Sequence, residues 1–175
     1  MTDSGPFLLA ARMSFVLVIG LTLQLAVAAE IELFDVQGDL MLLVAVSAGL
    51  ATGPHRGATL GFVTGIAYDL LLQTPFGLSA LAYGMVAFLA GSLHDSVLRA
   101  AWWIPVGTAT AASAVGVILY GVFGTVVGED LVGMSLLRIA AVVALMNAVV
   151  ALPVVRVVRW ATGTSDGIRT RAIYR

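Results

Sequence analysis

Apolar runs separated by short polar breaks divide this chain. The runs extend roughly over Phe7 to Ala29, Leu40 to Thr52, Gly57 to Gln73, Gly77 to Leu93, Trp102 to Val127 and Ser135 to Val155. A membrane-crossing helix needs about 20 mainly apolar residues, somewhat fewer when protein surrounds it. The pattern therefore predicts an all-α integral membrane protein, a single bundle of about six transmembrane helices. The second run, about 13 residues, is short for a complete crossing. It reads as a re-entrant segment, or as a span that continues through Glu30 to Asp39. Residues 1–155 then form one six-helix transmembrane domain. Residues 156–175 lose the apolar pattern, carry five Arg, and are expected to be a flexible cytoplasmic basic tail.

Composition excludes a soluble alternative. Of 175 residues 60% are hydrophobic and 11% charged, against about 25% charged in soluble domains. So small a body is mostly surface and cannot hide that much apolar material, so lipid must cover the excess. The chain has no Cys, which removes disulfides, thiolate metal sites and a thiol nucleophile.

The net charge of -1 is less informative than its distribution. Arg12, Arg56, Arg99 and the group Arg156, Arg159, Arg169, Arg171 and Arg175 fall on one set of alternating loops. Glu30, Glu32, Asp35, Asp39, Glu129 and Asp130 fall on the other set. Because basic residues concentrate in cytoplasmic loops, both termini are expected in the cytoplasm. Arg138, near the start of the sixth run, is the exception. Ala26-Val27-Ala28 imitates a secretory cleavage site, but an uncleaved first span is the simpler expectation. Trp102 and Trp103, and Arg156, Arg159 and Trp160, read as membrane-surface anchors at the headgroup level.

Few residues carry candidate chemistry. Gly57, Gly61, Gly65 and Asp69 recur every four residues, which sets them in one diagonal stripe on a helix. Such small-residue stripes let another backbone approach closely. The stripe reads as a helix-packing face or as a partner interface. Asp69, about 18 Å along the helix from Gly57, is costly in lipid and must face the bundle interior, water or a polar partner. It reads either as a ligand or proton site or as a structural hydrogen-bonding group, with Tyr68, Gln73, Asn147 or Gln24 as partners. Gln24 and Asn147 are single polar residues in apolar runs, suited to bridging helices in a polar interior. His55, His94 and Asp95 lack the spacing that puts two metal ligands on one helical face, so no metal site is expected. No phosphate loop, nucleophile elbow, zinc-protease motif or paired intramembrane carboxylates occur, so no enzyme activity and no cofactor are expected. Nor does the Arg-rich tail call for nucleic acid, because it suits anionic lipid at least as well.

The segment from Asp39 to Gly91 resembles the bacterial rod shape-determining MreD family. The resemblance rests on Asp39-Leu40 opening an apolar stretch, Arg56 in a basic turn, and then Gly57, Gly61, Phe62, Gly65 and Asp69 before a turn at Gly77. It implies a non-enzymatic scaffold of the cell-wall elongation complex in the bacterial inner membrane. Such a scaffold binds MreC, or a second copy of itself as a homodimer, and through MreC reaches wall-synthesis enzymes and MreB. That family is similar in architecture to the six-helix S components of energy-coupling factor transporters. A substrate-binding S component for a vitamin is therefore the alternative, although Ala10 and Ser14 offer only a thin version of its docking surface.

Overall fold

A computed structural model describes residues 6–28, 32–71, 76–98, 103–128 and 134–164. The chain forms a helical membrane bundle. Helix α1 spans Pro6–Leu23 and is prolonged by one π-turn over Gln24–Ala28. A small antiparallel hairpin follows, β1 (Glu32–Leu33) paired with β2 (Val36–Gln37). Then come α2 (Leu40–Thr52), α3 (Pro54–Asp69), α4 (Leu78–Gly91), a short α5 (His94–Leu98), α6 (Trp103–Val126) and α7 (Met134–Ala161).

Three of these, α1, α6 and α7, are long and apolar enough to cross a membrane on length and composition. Helices α2, α3 and α4 are shorter, and they form the middle of the bundle. Every residue from Met41 to Ala51 is buried. A helix apolar on all sides belongs where protein surrounds it, which is why α2 can be both very hydrophobic and only 13 residues long. At 1.5 Å per residue it covers about 20 Å, less than the roughly 30 Å of a bilayer core. Of the two readings of this run, continuation of the span through Glu30 to Asp39 does not hold over residues 32–39. The described part of that segment turns back as the β-hairpin, and Asp39 caps α2 by accepting from the Leu42 N–H at 2.8 Å. An acid immediately before an apolar run stops the helix, because its carboxylate satisfies an otherwise unpaired N–H of the first turn.

Helix α3 reverses direction after the single residue Gly53, whose φ of 85° lies in the region glycine favours. Pro54 occupies the first turn of α3, where its missing N–H costs nothing. Helices α3 and α4 then pack with almost no side chain between them. A Cβ on Gly57 would lie 2.5 Å from the Gly49 Cα, one on Gly61 2.6 Å from the Tyr83 carbonyl, and one on Gly65 2.5 Å from the Ala80 nitrogen. The glycine stripe is therefore buried between α3, α4 and α2, inside one chain.

Helix α1 is held more lightly, with Met13, Val16, Gly20 and Gln24 as its buried residues among those described. Helix α7 continues to Ala161. The boundary expected at 155 thus falls inside a helix, because Val155, Val158 and Ala161 keep a buried apolar face at helical spacing. Residues 165–175, which hold three of the tail's arginines, lie outside the described residues.

Candidate functional site

A buried polar hub joins six helices. Its centre is Asp39. One carboxylate oxygen takes the Leu42 N–H, and the other accepts the Tyr83 hydroxyl from α4. The Asp39 backbone carbonyl accepts from the Asn147 side-chain nitrogen of α7 at 3.0 Å, and the same nitrogen donates to Ser113 Oγ of α6 at 3.1 Å. From the π-turn after α1, Gln24 donates to the Gly38 carbonyl at 2.9 Å and accepts the Leu40 N–H at 2.7 Å. Tyr68 of α3 stacks on Tyr83, with centroids 6.0 Å apart and planes 20° apart.

The local sequence explains the convergence. Gly38 lies against Met146 of α7, where an added Cβ would be 3.5 Å from that side chain, so the chain enters α2 pressed onto α7. The unpaired backbone groups ahead of α2 would otherwise be buried without partners, at about 1–3 kcal/mol each. Gln24 satisfies one donor and one acceptor there, and Asn147 satisfies another acceptor. Interhelical hydrogen bonds in membranes average about 0.6 kcal/mol. The five bonds that join Gln24, Asp39, Tyr83, Ser113 and Asn147 across elements thus contribute about 3 kcal/mol.

Ser113 and Asn147 each lie within two residues of the middle of α6 and α7. Beyond the hub each of these helices continues for 13 residues (Ser113 to Val126, Asn147 back to Met134), about 20 Å. The first turn of α2 reaches into that half through Leu42 against Gly116, and the β-hairpin stands against α7. Its two turn residues, Phe34 and Asp35, both have positive φ (57° and 61°), the geometry of a tight two-residue hairpin turn. Arg138 holds the turn, donating to the Phe34 carbonyl at 3.0 Å with its guanidinium carbon 5.7 Å from the Phe34 ring centroid. The exception to the charge pattern is thus an arginine engaged within its own chain.

Asp69 stands apart from the hub. It is 3% exposed and accepts three backbone N–H groups, from Gly77 at 2.9 Å, Ser79 at 3.1 Å and Ala80 at 3.2 Å. Its partners are therefore the unpaired donors at the start of α4, not Tyr68, Asn147 or Gln24. The start of α4 thus lies over the end of α3, and a carboxylate is well suited to a helix N-terminus. Gln73 lies outside the described residues.

The other singled-out residues are dispersed. His94 contacts the Leu50 carbonyl at 2.7 Å and so occupies an open acceptor at the end of α2, whereas His55 meets the edge of Phe88. Among the described residues no group of three His, Cys, Asp or Glu could hold a metal. Trp103 and Trp160 are exposed, as is Arg156, while Arg159 is half-buried with Nε and one terminal nitrogen unpaired. Trp160 carries the Arg12 guanidinium over its ring at 5.0 Å. Trp102, Arg99, Glu30, Glu129 and Asp130 lie outside the described residues.

Sequence reasoning placed Asp39 in an acidic outer loop and passed over Tyr83 and Ser113. The signal for Asp39 was present, since an acid directly before an apolar run is a helix-start signature. Tyr83 offered the weaker signal of a hydroxyl in an apolar helix, where a buried phenol requires a partner.

The family model described as rod shape-determining protein MreD matches residues 6–160. No curated protein and no solved structure matches the chain.

Proposed function

Since the chain belongs to the MreD family of rod shape-determining proteins, we propose that it acts as a non-enzymatic scaffold of the cell-wall elongation complex, binding an MreC-type membrane protein. Its role in rod shape determination comes with the family, and the partner is our reading. The observation that carries the reading is the use made of the buried polar groups. Asp69 is engaged on three backbone donors, and Asp39, Gln24, Asn147 and Tyr83 are engaged on one another or on nearby backbone. Groups committed in this way fix helix positions, which is what a scaffold needs.

In this reading the protein lies in the bacterial inner membrane with both termini in the cytoplasm. The β-hairpin and the hub-distal halves of α6 and α7 face the opposite side. The lipid-facing helices bind the bitopic partner, or a second copy in a homodimer, and wall-synthesis enzymes and MreB are reached indirectly. Asp69 and the glycine stripe serve the interface by holding α3 and α4 in place.

The test is gentle extraction of the tagged full chain from native membranes, with stoichiometric partners identified by mass spectrometry. Co-purified MreC with wall-synthesis proteins is the expected result. A transmembrane coupling subunit with ATPases would instead assign the chain to the S-component class.

A further inference from the structure

We propose that the groove between α1 and α7 is a binding site for one anionic phospholipid, its acyl chain lying in the groove and its headgroup phosphate held by Arg12 with help from Arg156. The groove has a volume of about 590 Å³. One wall is α1, through Phe15 and Ile19, the other is α7, through Val150 and Val157, and Val44 of α2 forms part of the floor. It exists because α1 is lightly packed. Gly20 lies at its base, where an added Cβ would sit 3.2 Å from the Met41 sulfur.

The length and lining of the groove suit an acyl chain. Along α7 the lining runs from Met146 to Trp160, 14 residues or about 21 Å, more than half of the roughly 30 Å hydrocarbon core. The groove is thus long enough to take the acyl chain of a lipid from one leaflet along a lining that is almost wholly apolar.

Charge then fixes the headgroup. Trp160 lines one end of the groove, and Arg12 stacks over its ring at 5.0 Å. Arg12 lies one turn before Phe15 and Val16, on the groove-facing side of α1. A guanidinium stacked on a ring face keeps its in-plane N–H donors free, and those donors match a phosphate bidentately. Arg156, exposed on α7 four residues before Trp160, adds a second positive charge at the same end. Neither arginine has a carboxylate partner among the described residues. The site thus joins an apolar slot, a headgroup-level tryptophan and two unneutralised cations, the combination that recognises an anionic lipid between helices.

The test uses the full chain in nanodiscs of phosphatidylcholine doped with phosphatidylglycerol that carries a photoreactive acyl chain. Adducts are expected on α1 and α7 residues lining the groove. Arg12→Gln and Arg156→Gln should each lower that yield about fivefold, Arg12→Lys should retain most of it, and a phosphatidylcholine probe should label weakly and without change. Ile19→Trp, which fills the slot, should remove groove adducts. Equal labelling by the two lipids, or adducts spread evenly around the bundle, would overturn the proposal. So would efficient cross-linking of Val150→Cys to a second copy or to a co-purified membrane helix, since the groove would then belong to a protein.

Discussion

Replacing single glycines with alanine tests the packing of α3 on α4 with a graded perturbation. A Cβ at Gly61 would lie 2.6 Å from the Tyr83 carbonyl oxygen and 2.7 Å from the Ala87 Cβ, and one at Gly65 2.5 Å from backbone atoms of Ser79 and Ala80. Ordinary contact begins near 3.4 Å, so each substitution requires about 0.8 to 0.9 Å of separation between two helix backbones. No flexible side chain can yield in either place. Overpacking of this kind costs about 1–3 kcal/mol, and rigid backbone on both sides puts it at the upper end. Alanine recovers about 0.5–1 kcal/mol through its better helix propensity, leaving a net loss of about 2 kcal/mol, or about 30-fold in the unfolding constant. Gly107, on α6, has nothing within 4 Å of an added Cβ, and Gly84 has its nearest neighbour at 3.4 Å. Gly107→Ala should therefore be neutral to slightly stabilising, and Gly84→Ala close to neutral. Unfolding in mixed-detergent titrations, followed by tryptophan fluorescence, measures the series. If Gly61→Ala and Gly65→Ala unfold at the same midpoint as Gly107→Ala, the seam is not as tight as described and the reasoning fails.

Further outcomes follow from the polar contacts. Asp69→Leu should destabilise the bundle by about 3–5 kcal/mol, because three buried N–H groups lose their acceptor, whereas Asp69→Asn should cost about half as much by keeping one oxygen; the same titration checks this, and equal losses would point to a requirement for the charge itself. Tyr83→Phe removes the donor to Asp39 and should cost about 1–3 kcal/mol, while Asn147→Ala should cost about 1–2 kcal/mol, and thermal inactivation should rank both below Gly107→Ala. Arg138→Gln should leave the unfolding midpoint within about 1 kcal/mol of the parent but accelerate amide exchange around Phe34, because the hairpin turn loses a hydrogen bond and a cation–π contact.

The helices were legible in the sequence because membrane spans announce themselves by length and hydrophobicity, and among the described residues α1, α2, α3, α4, α6 and α7 overlap the six apolar runs. Their ends were less legible. Helix α7 runs past Val155 on a one-sided apolar face that a count of charged residues obscures. The shortness of α2 was visible as a run of about 13 residues, but its meaning required the neighbours that bury it. At the site, Gln24, Asn147 and Asp69 could be picked out because polar residues in apolar runs must find partners. Which partners they find could not be read, since Asp39, Ser113 and Asn147 are far apart in the chain and meet only through tertiary packing. Asp69 illustrates the limit: its donors lie 8, 10 and 11 residues downstream, within reach because the start of α4 lies against the end of α3.

Cell shape on depletion and replacement tests the central claim most directly. In a rod-shaped host whose own copy is depleted, the chain should restore normal cell width, and Asp69→Leu or Gly61→Ala should restore it in proportion to folded protein in the membrane. Rods that persist unchanged on depletion, with loss of uptake of a small solute instead, would contradict a scaffold of wall elongation.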